Sequence, residues 1–171
     1  VRVTEALFTE GEVTLAAVPG YEDEVEIALT LRQDGQVVAE ALASDEIDAG
    51  RALIRVDLPV AQPRLWWPNG EGEQALYDCE VTLRLPGADG DFRPSGEPVA
   101  VRFGIRRIEL APNDTPDASA RPYTFVVNGR KVYVNGWNWV PIDALYGVPR
   151  PEKLERLLTL ARAAHVNLLR V

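Results

Sequence analysis

Four stretches of the chain alternate apolar and polar residues with a period of two, and that rhythm leaves few folds open. "VEIALTL" sets Val25, Ile27, Leu29 and Leu31 on one side. "CEVTLRL" does the same with Cys79, Val81, Leu83 and Leu85, and turns Glu80, Thr82 and Arg84 to water. "VAVRFGI" aligns Val99, Val101, Phe103 and Ile105; "ALIRVDL" follows less cleanly, because Leu53 interrupts its polar side. Successive side chains on a strand point to opposite faces, so one buried and one wetted face marks an antiparallel sheet. Turn signals such as "RQDGQ" and "LPGADGD" separate the stretches, and no helical period appears before about Arg107. This spacing predicts a seven-strand immunoglobulin-like β-sandwich over residues 1–107. An open-barrel all-β arrangement is the other fold compatible with the alternation. "LYDCEV" places Tyr77 two residues before Cys79 at a strand start. That is the position of a tyrosine corner, whose hydroxyl bonds to upstream backbone; a plain core tyrosine is the alternative.

The pattern then changes. "APNDTPDASARP" is polar and proline-rich, so residues 108–122 read as a linker or long loop. "YTFVVNGRKVYVNG" reads as a hairpin, with Asn128-Gly129 supplying the positive φ angles of a two-residue turn. Pro151 suits the first position of a helix, and Leu154, Leu157, Leu158 and Ala161 repeat at i, i+3, i+4, i+7. That helix is expected to end near His165. "VNLLRV" follows as a short, nearly continuous apolar run, the signature of a strand buried on both faces. Strand, helix, strand is a parallel βαβ unit. Two parallel strands cannot close a barrel or cover a sheet, so residues 123–171 are expected to be the truncated start of a larger α/β domain. The absence of methionine, even at position 1, fits the same expectation of a segment from a longer protein.

Composition narrows the function. The formal net charge is −8, and a field of that sign repels phosphate, so neither nucleic acid nor an anionic membrane is an expected partner. No apolar run approaches the roughly 20 residues that span a bilayer. Cys79 is the only cysteine, which excludes an intrachain disulfide and favours a cytoplasmic location. His165 is the only histidine, lies at a helix end and has no companions for a metal site or a triad, so its expected role is structural. The acidic run "YEDEVE" reads as a solvated strand start. No metal site and no cofactor are expected.

"LWWPNGEGEQALY", "VRFGIRRIEL", "FVVNGRKVYVNGWNWVPID" and "ARAAHVNLLRV" occur in this order and spacing. Together they resemble the middle of glycoside hydrolase family 2, and its β-mannosidase-like branch in particular. The likeness is strong over residues 65–171 and rests on strand pattern alone before that. It implies a sandwich followed by the first strand, first helix and second strand of a (β/α)8 catalytic barrel. "GWNWVPID" places Trp139 beside Asn138, where galactosidase and glucuronidase relatives carry a histidine shortly after the asparagine. Trp137 stands where the mannosidase-like branch has alanine, and Ile142 where it has another small residue. The resemblance also implies that both catalytic glutamates lie on later barrel strands, outside this chain, which would then be inactive by itself.

Asn138, Trp139, Asp143 and Arg170 are the candidate substrate-binding residues, and none is a candidate catalytic acid. Barrel active sites lie at the carboxyl ends of the strands. There an indole face can stack on the C–H side of a pyranose, and an amide offers both donor and acceptor to hydroxyls. Asp143 could accept from sugar hydroxyls, and an arginine near the nucleophile would hold it ionised. Each residue has a plain alternative: packing for Trp137 and Trp139, loop satisfaction for Asn138, a helix or turn cap for Asp143, an ion pair for Arg170. Trp66, Trp67 and Pro68 are expected to be an interdomain wedge rather than a ligand shelf, and Asn69-Gly70 a turn. The implied partners are a β-linked oligosaccharide and the protein's own further domains. A non-catalytic immunoglobulin-like carbohydrate-binding or adhesion module, or a structural spacer, is the competing function; residues 125–171 decide, because such a module has no use for a βαβ unit.

Overall fold

The structure is a computed structural model that describes residues 2–5, 8–16, 24–47, 51–113, 123–143, 147–148 and 150–171. The chain forms two compact units, Val1–Arg64 with Ala75–Ile105, and Leu65–Gln74 with Arg106–Val171.

The first unit is an antiparallel sandwich. Strands β1 (Arg2–Glu5), β2 (Phe8–Ala16) and β5 (Arg51–Pro59) form one sheet in the order β1-β2-β5. Strands β3 (Glu24–Gln33), β4 (Gln36–Glu46) and β6 (Tyr77–Pro86) form the other, β4-β3-β6, which β7 (Phe92–Pro94) and β8 (Val99–Phe103) extend. β7 pairs with Arg84–Pro86 and β8 with Tyr77–Val81, so the two share one edge of β6. Among the described residues this unit has eight strands, one more than the seven that the alternation predicted, and β7 and β8 share one lateral position. The last position is split because Pro94 and Pro98 flank Gly96, which has φ 77°, and a proline has no N–H to give a ladder.

The core lies on the faces that period two selects. Val25, Ile27, Leu29 and Leu31 of β3 are buried, as are Ile54, Val56 and Leu58 of β5, while Arg55 and Asp57 are exposed. Tyr77, Ile27, Leu31, Ile105 and Val25 are the most completely buried side chains; burial of each aliphatic one is worth about 1.5–3 kcal/mol. Asp34 (φ 50°) and Gly35 (φ 80°) make the two-residue turn between β3 and β4. The Tyr77 hydroxyl accepts from the Arg64 N–H at 2.8 Å and donates to the Arg64 carbonyl at 3.3 Å, so the tyrosine corner is present. Burial pushes the Tyr77 phenol above its ordinary pKa, against the lowering effect of that N–H. Burial likewise raises the Cys79 thiol, which acts as a small core hydrophobe.

Two expectations need correction here. Val99 and Val101 share the face of Cys79 and Val81 but are 61% and 45% exposed, because among the described residues β8 pairs on one side only. Period two assigns a side chain to a face; it does not say how far the covering layer reaches. Of "YEDEVE", residues 21–23 lie outside the described residues, and Glu26 pairs with Arg84.

The second unit contains a three-stranded antiparallel sheet, β11-β10-β9, of β9 (Ile108–Pro112), β10 (Tyr123–Val127) and β11 (Arg130–Val132). β9 lies inside the stretch expected to be linker. Its backbone is satisfied by five consecutive pairs with β10, from Ile108↔Val127 to Pro112↔Tyr123, although its sequence ends in proline. Residues 114–122 of the expected linker lie outside the described residues. Asn128 (φ 50°) and Gly129 (φ 80°) form the predicted turn. Asn128 does more than turn: its Oδ1 accepts from the Arg107 N–H at 2.9 Å, and its Nδ2 donates to the Trp66 carbonyl at 3.0 Å.

The rest of the second unit is β12 (Gly136–Asn138), α1 (Pro151–Ala163) and β13 (Leu168–Arg170), with β12 and β13 paired in parallel. The predicted βαβ unit is present. Pro151 starts the helix, Glu152 lies in its first turn and Arg162 in its last, each sign suited to its end of the dipole. The helix closes in a Schellman motif. His165 takes the left-handed position at φ 57°, its N–H donates to Arg162 O at 3.1 Å, and the Val166 N–H donates to Ala161 O at 3.0 Å. Ala161 and Val166, the apolar pair of that motif, are both buried. Leu154 and Leu158 remain 40% and 42% exposed, so the apolar stripe is only partly covered. Leu168 and Leu169 are half-buried rather than buried on both faces, because each strand of the pair has one hydrogen-bonded neighbour.

Candidate functional site

β12 and β13 are short, and they approach closely at Gly136. A Cβ at Gly136 would lie 3.3 Å from Leu168 Cδ2 and 3.5 Å from the Leu168 carbonyl. The parallel register is Gly136↔Leu168, Trp137↔Leu169 and Asn138↔Arg170. One further bond extends it: the Trp139 N–H donates to the Arg170 carbonyl at 2.7 Å. Three of the four candidates, Asn138, Trp139 and Arg170, are thus held together at the carboxyl ends of two adjacent parallel strands. Asn138 and Arg170 are exposed there and Trp139 is half-buried. Trp137, one position earlier, is 40% exposed.

Asp143 is placed differently. Its carboxylate lies 3.3 Å from Arg150 Nε and 3.6 Å from Lys153 Nζ, at the start of α1. With Pro151 and Glu152 these residues line a cleft of about 560 Å³. The structure therefore gives Asp143 an electrostatic task, bridging the loop to the helix, that does not depend on a ligand.

The opposite end of the same strands holds residues that the motif reading passed over. Asn167 Oδ1 accepts from the Asn135 N–H at 2.9 Å, Asn167 Nδ2 donates to the Tyr133 carbonyl at 2.8 Å, and the Asn167 N–H donates to the Asn135 carbonyl at 3.0 Å. Asn135 Nδ2 reaches the Ala164 and His165 carbonyls at 3.0 and 3.3 Å. Asn69 Nδ2 donates to the Arg162 and Val166 carbonyls at 3.0 and 3.2 Å, so it is more than half of a turn. Helix ends leave four carbonyls without intrahelical partners, and side-chain amides can satisfy them. The available signal was two asparagines bordering strands, where asparagine is a poor strand former.

Trp66 and Trp67 belong to the second unit. The Arg106 guanidinium lies 4.4 Å over the Trp66 ring, and that of Arg130 4.3 Å over Trp67. Arg130 also pairs with Glu71 Oε2 at 3.0 Å, and Trp67 donates its N–H to the Glu73 carbonyl at 2.9 Å. One face of each indole is thus occupied by a cation. Among the described residues no group of three histidine, cysteine or acidic side chains could hold a metal ion, and no helix is long and apolar enough to cross a membrane.

The chain is similar to known proteins over most of its length. Beta-mannosidase B of Emericella nidulans is 28% identical over 95% of this chain, and beta-mannosidase B of Aspergillus flavus is 33% identical over 70% of it. The crystal structure of a beta-D-mannosidase from Dictyoglomus thermophilum superposes on all of the chain with a TM-score of 0.75 at 28% identity. The chain spans 18% of the length of the Emericella enzyme and 20% of the Dictyoglomus one. The family model described as Glycosyl hydrolases family 2 matches residues 3–106, which is most of the sandwich. The chain belongs to glycosyl hydrolases family 2.

Proposed function

We propose that the protein carrying this chain is a retaining, exo-acting glycoside hydrolase of β-mannosidase type that removes terminal β-linked sugars from oligosaccharides. The observation that carries the reading is the parallel β12–α1–β13 unit, with Asn138, Trp139 and Arg170 aligned at its carboxyl end. Carboxyl strand ends are where barrel enzymes hold their substrates. The named relatives are β-mannosidases, which favours a β-mannoside over other sugars.

In this reading Trp139 offers an indole face to the apolar side of the pyranose, and Asn138 exchanges hydrogen bonds with its hydroxyls. Arg170 carries a fixed positive charge that keeps a neighbouring carboxylate ionised, as a nucleophile requires. A retaining mechanism needs two carboxyl groups about 5–5.5 Å apart, one to attack the anomeric carbon and one to protonate the leaving oxygen. Both belong to later barrel strands, so this chain alone binds poorly and does not turn over. Asp143 is the fourth residue assigned to the sugar, through hydroxyl contacts made alongside its ion pairs.

The test compares the full-length protein with residues 1–171 on a chromogenic β-mannoside. Turnover by the full-length protein alone, reduced at least tenfold by Asn138→Ala or Arg170→Ala, is the expected result. Turnover by the isolated chain, or none by the full-length protein on any of a panel of β-glycosides, refutes the proposal.

A further inference from the structure

We propose that Asn135 and Asn167 are positioning residues that fix the register of β12 against β13 and so hold Asn138, Trp139 and Arg170 in line. The inference rests on the functional reading above for what those three residues do, but not for the clamp itself. The ladder has three residue pairs. A ladder that short specifies its register weakly, and a slip of one residue sends every side chain to the other face. Asn138 would then lie opposite Leu169 or Val171 instead of Arg170.

Asn167 prevents the slip from one side. Its backbone N–H and both ends of its amide meet three backbone groups of the segment entering β12: the Asn135 carbonyl, the Asn135 N–H and the Tyr133 carbonyl. A slip of one residue turns the facing backbone groups to the opposite edge of the strand, so the three bonds cannot form together. Asn135 closes the knot by donating to the Ala164 and His165 carbonyls at the end of α1. Both strands and the helix that joins them are tied at one point. That point is three residues upstream of Asn138, about 10 Å at 3.3 Å per residue, so neither asparagine needs to touch a ligand. Asn69 bonds the same helix end, through Arg162 and Val166, and its amide donates to neither strand of the β12–β13 ladder. It separates register from simple stability.

The experiment uses the full-length protein with Asn167→Ala, Asn167→Asp, Asn135→Ala and Asn69→Ala. Amide hydrogen exchange is followed at Trp139, whose N–H makes the last bond of the ladder to Arg170. Turnover of a chromogenic β-mannoside is measured below the melting temperature of every variant. Asn167→Ala and Asn135→Ala should lower Trp139 protection at least tenfold and kcat/KM at least tenfold. Asn167→Asp keeps the acceptor for the Asn135 N–H but sets a carboxylate oxygen against the Tyr133 carbonyl, so it too should lower Trp139 protection, and it carries the test if the alanine variant does not fold. Asn69→Ala should lower the melting temperature while leaving Trp139 protection and kcat/KM within twofold. Unchanged Trp139 exchange in the Asn167 variants, or an equal loss in Asn69→Ala, overturns the clamp. Faster Trp139 exchange with unchanged kcat/KM overturns its role in the reaction. If wild-type protein shows no turnover, the functional reading has failed, and the exchange result still decides the clamp.

Discussion

Replacing Tyr77 by phenylalanine removes one oxygen and leaves the ring, so it isolates the corner bond from the packing around it. The ring is 1% exposed. Its hydroxyl accepts from the Arg64 N–H at 2.8 Å, a good length, and donates to the Arg64 carbonyl at 3.3 Å, a long one. Loss of the hydroxyl leaves a partly buried N–H without its acceptor, which costs about 1–3 kcal/mol; the weaker second bond and the partial exposure of Arg64 put the expectation at about 1.5 kcal/mol. With a urea slope of about 2 kcal/mol/M for a domain of this size, the unfolding midpoint drops by about 0.75 M at unchanged slope. Far-UV circular dichroism follows the strands. The pH dependence supplies a second arm. Burial raises the folded-state pKa of Tyr77 above its ordinary value near 10, so the folded state keeps the proton that the unfolded state releases first. The stabilisation is complete below about pH 10 and is lost as pH climbs from there through the folded-state value. Tyr77→Phe should therefore show a shallower alkaline fall than wild type. Cys79 adds its own alkaline component in both proteins, so it cancels in the difference. A midpoint within 0.2 M of wild type, about a quarter of the expected shift, together with an identical alkaline profile, would refute the argument that the hydroxyl is an integral part of the sandwich.

Three smaller tests follow from single residues. His165 sits at φ 57°, where glycine has no Cβ penalty, so His165→Gly should raise thermal stability by about 0.5–1 kcal/mol; a loss would mean that the imidazole itself contributes. A Cβ at Gly72 would lie 2.8 Å from Trp67 Cγ, so Gly72→Ala should displace that indole from beneath Arg130, cost about 1–3 kcal/mol, and alter the tryptophan near-UV circular dichroism. Asp143→Asn leaves Arg150 and Lys153 without their shared carboxylate at the positive end of α1, a cost of about 0.5 kcal/mol. With Asp143 assigned to sugar hydroxyls as well, KM for a β-mannoside should rise at least fivefold in the full-length protein; an unchanged KM confines it to the ion pairs.

What could be read from the sequence depended on whether the determining interaction was local. β3 announced itself because its alternation, its Asp-Gly turn and its buried face all depend on residues within a few positions of one another, and Val25, Ile27, Leu29 and Leu31 are buried as expected. The helix was equally legible, since proline at its start and a leucine period are properties of one segment. β9 was not. Ile108–Pro112 holds a proline and borders a polar run, and only the five pairs it makes with β10, more than ten residues away, render it a strand. Likewise Val99 and Val101 were placed on the correct face, but their exposure follows from β8 pairing on one side only among the described residues, which alternation does not encode.

The site divides along the same line. Asn138 and Arg170 were named as candidates from the family resemblance and their expected places at strand ends, yet the sequence holds them 32 positions apart; it is the parallel register that makes them neighbours. That register is weakly encoded in the apolar residues, since Trp137, Leu168 and Leu169 would tolerate several alignments. It is strongly encoded in two asparagines that no chemical motif would single out. Asn167 was hidden within an apolar run and Asn135 before a glycine, each looking like an interruption of a strand. A polar residue that interrupts a short strand must satisfy its amide somewhere, and here the amides are satisfied on the partner strand and the helix end. The residues that look least suited to the strands are therefore the ones that tie them, and the pairing of Asn138 with Arg170 at the carboxyl ends rests on that tie at the amino ends.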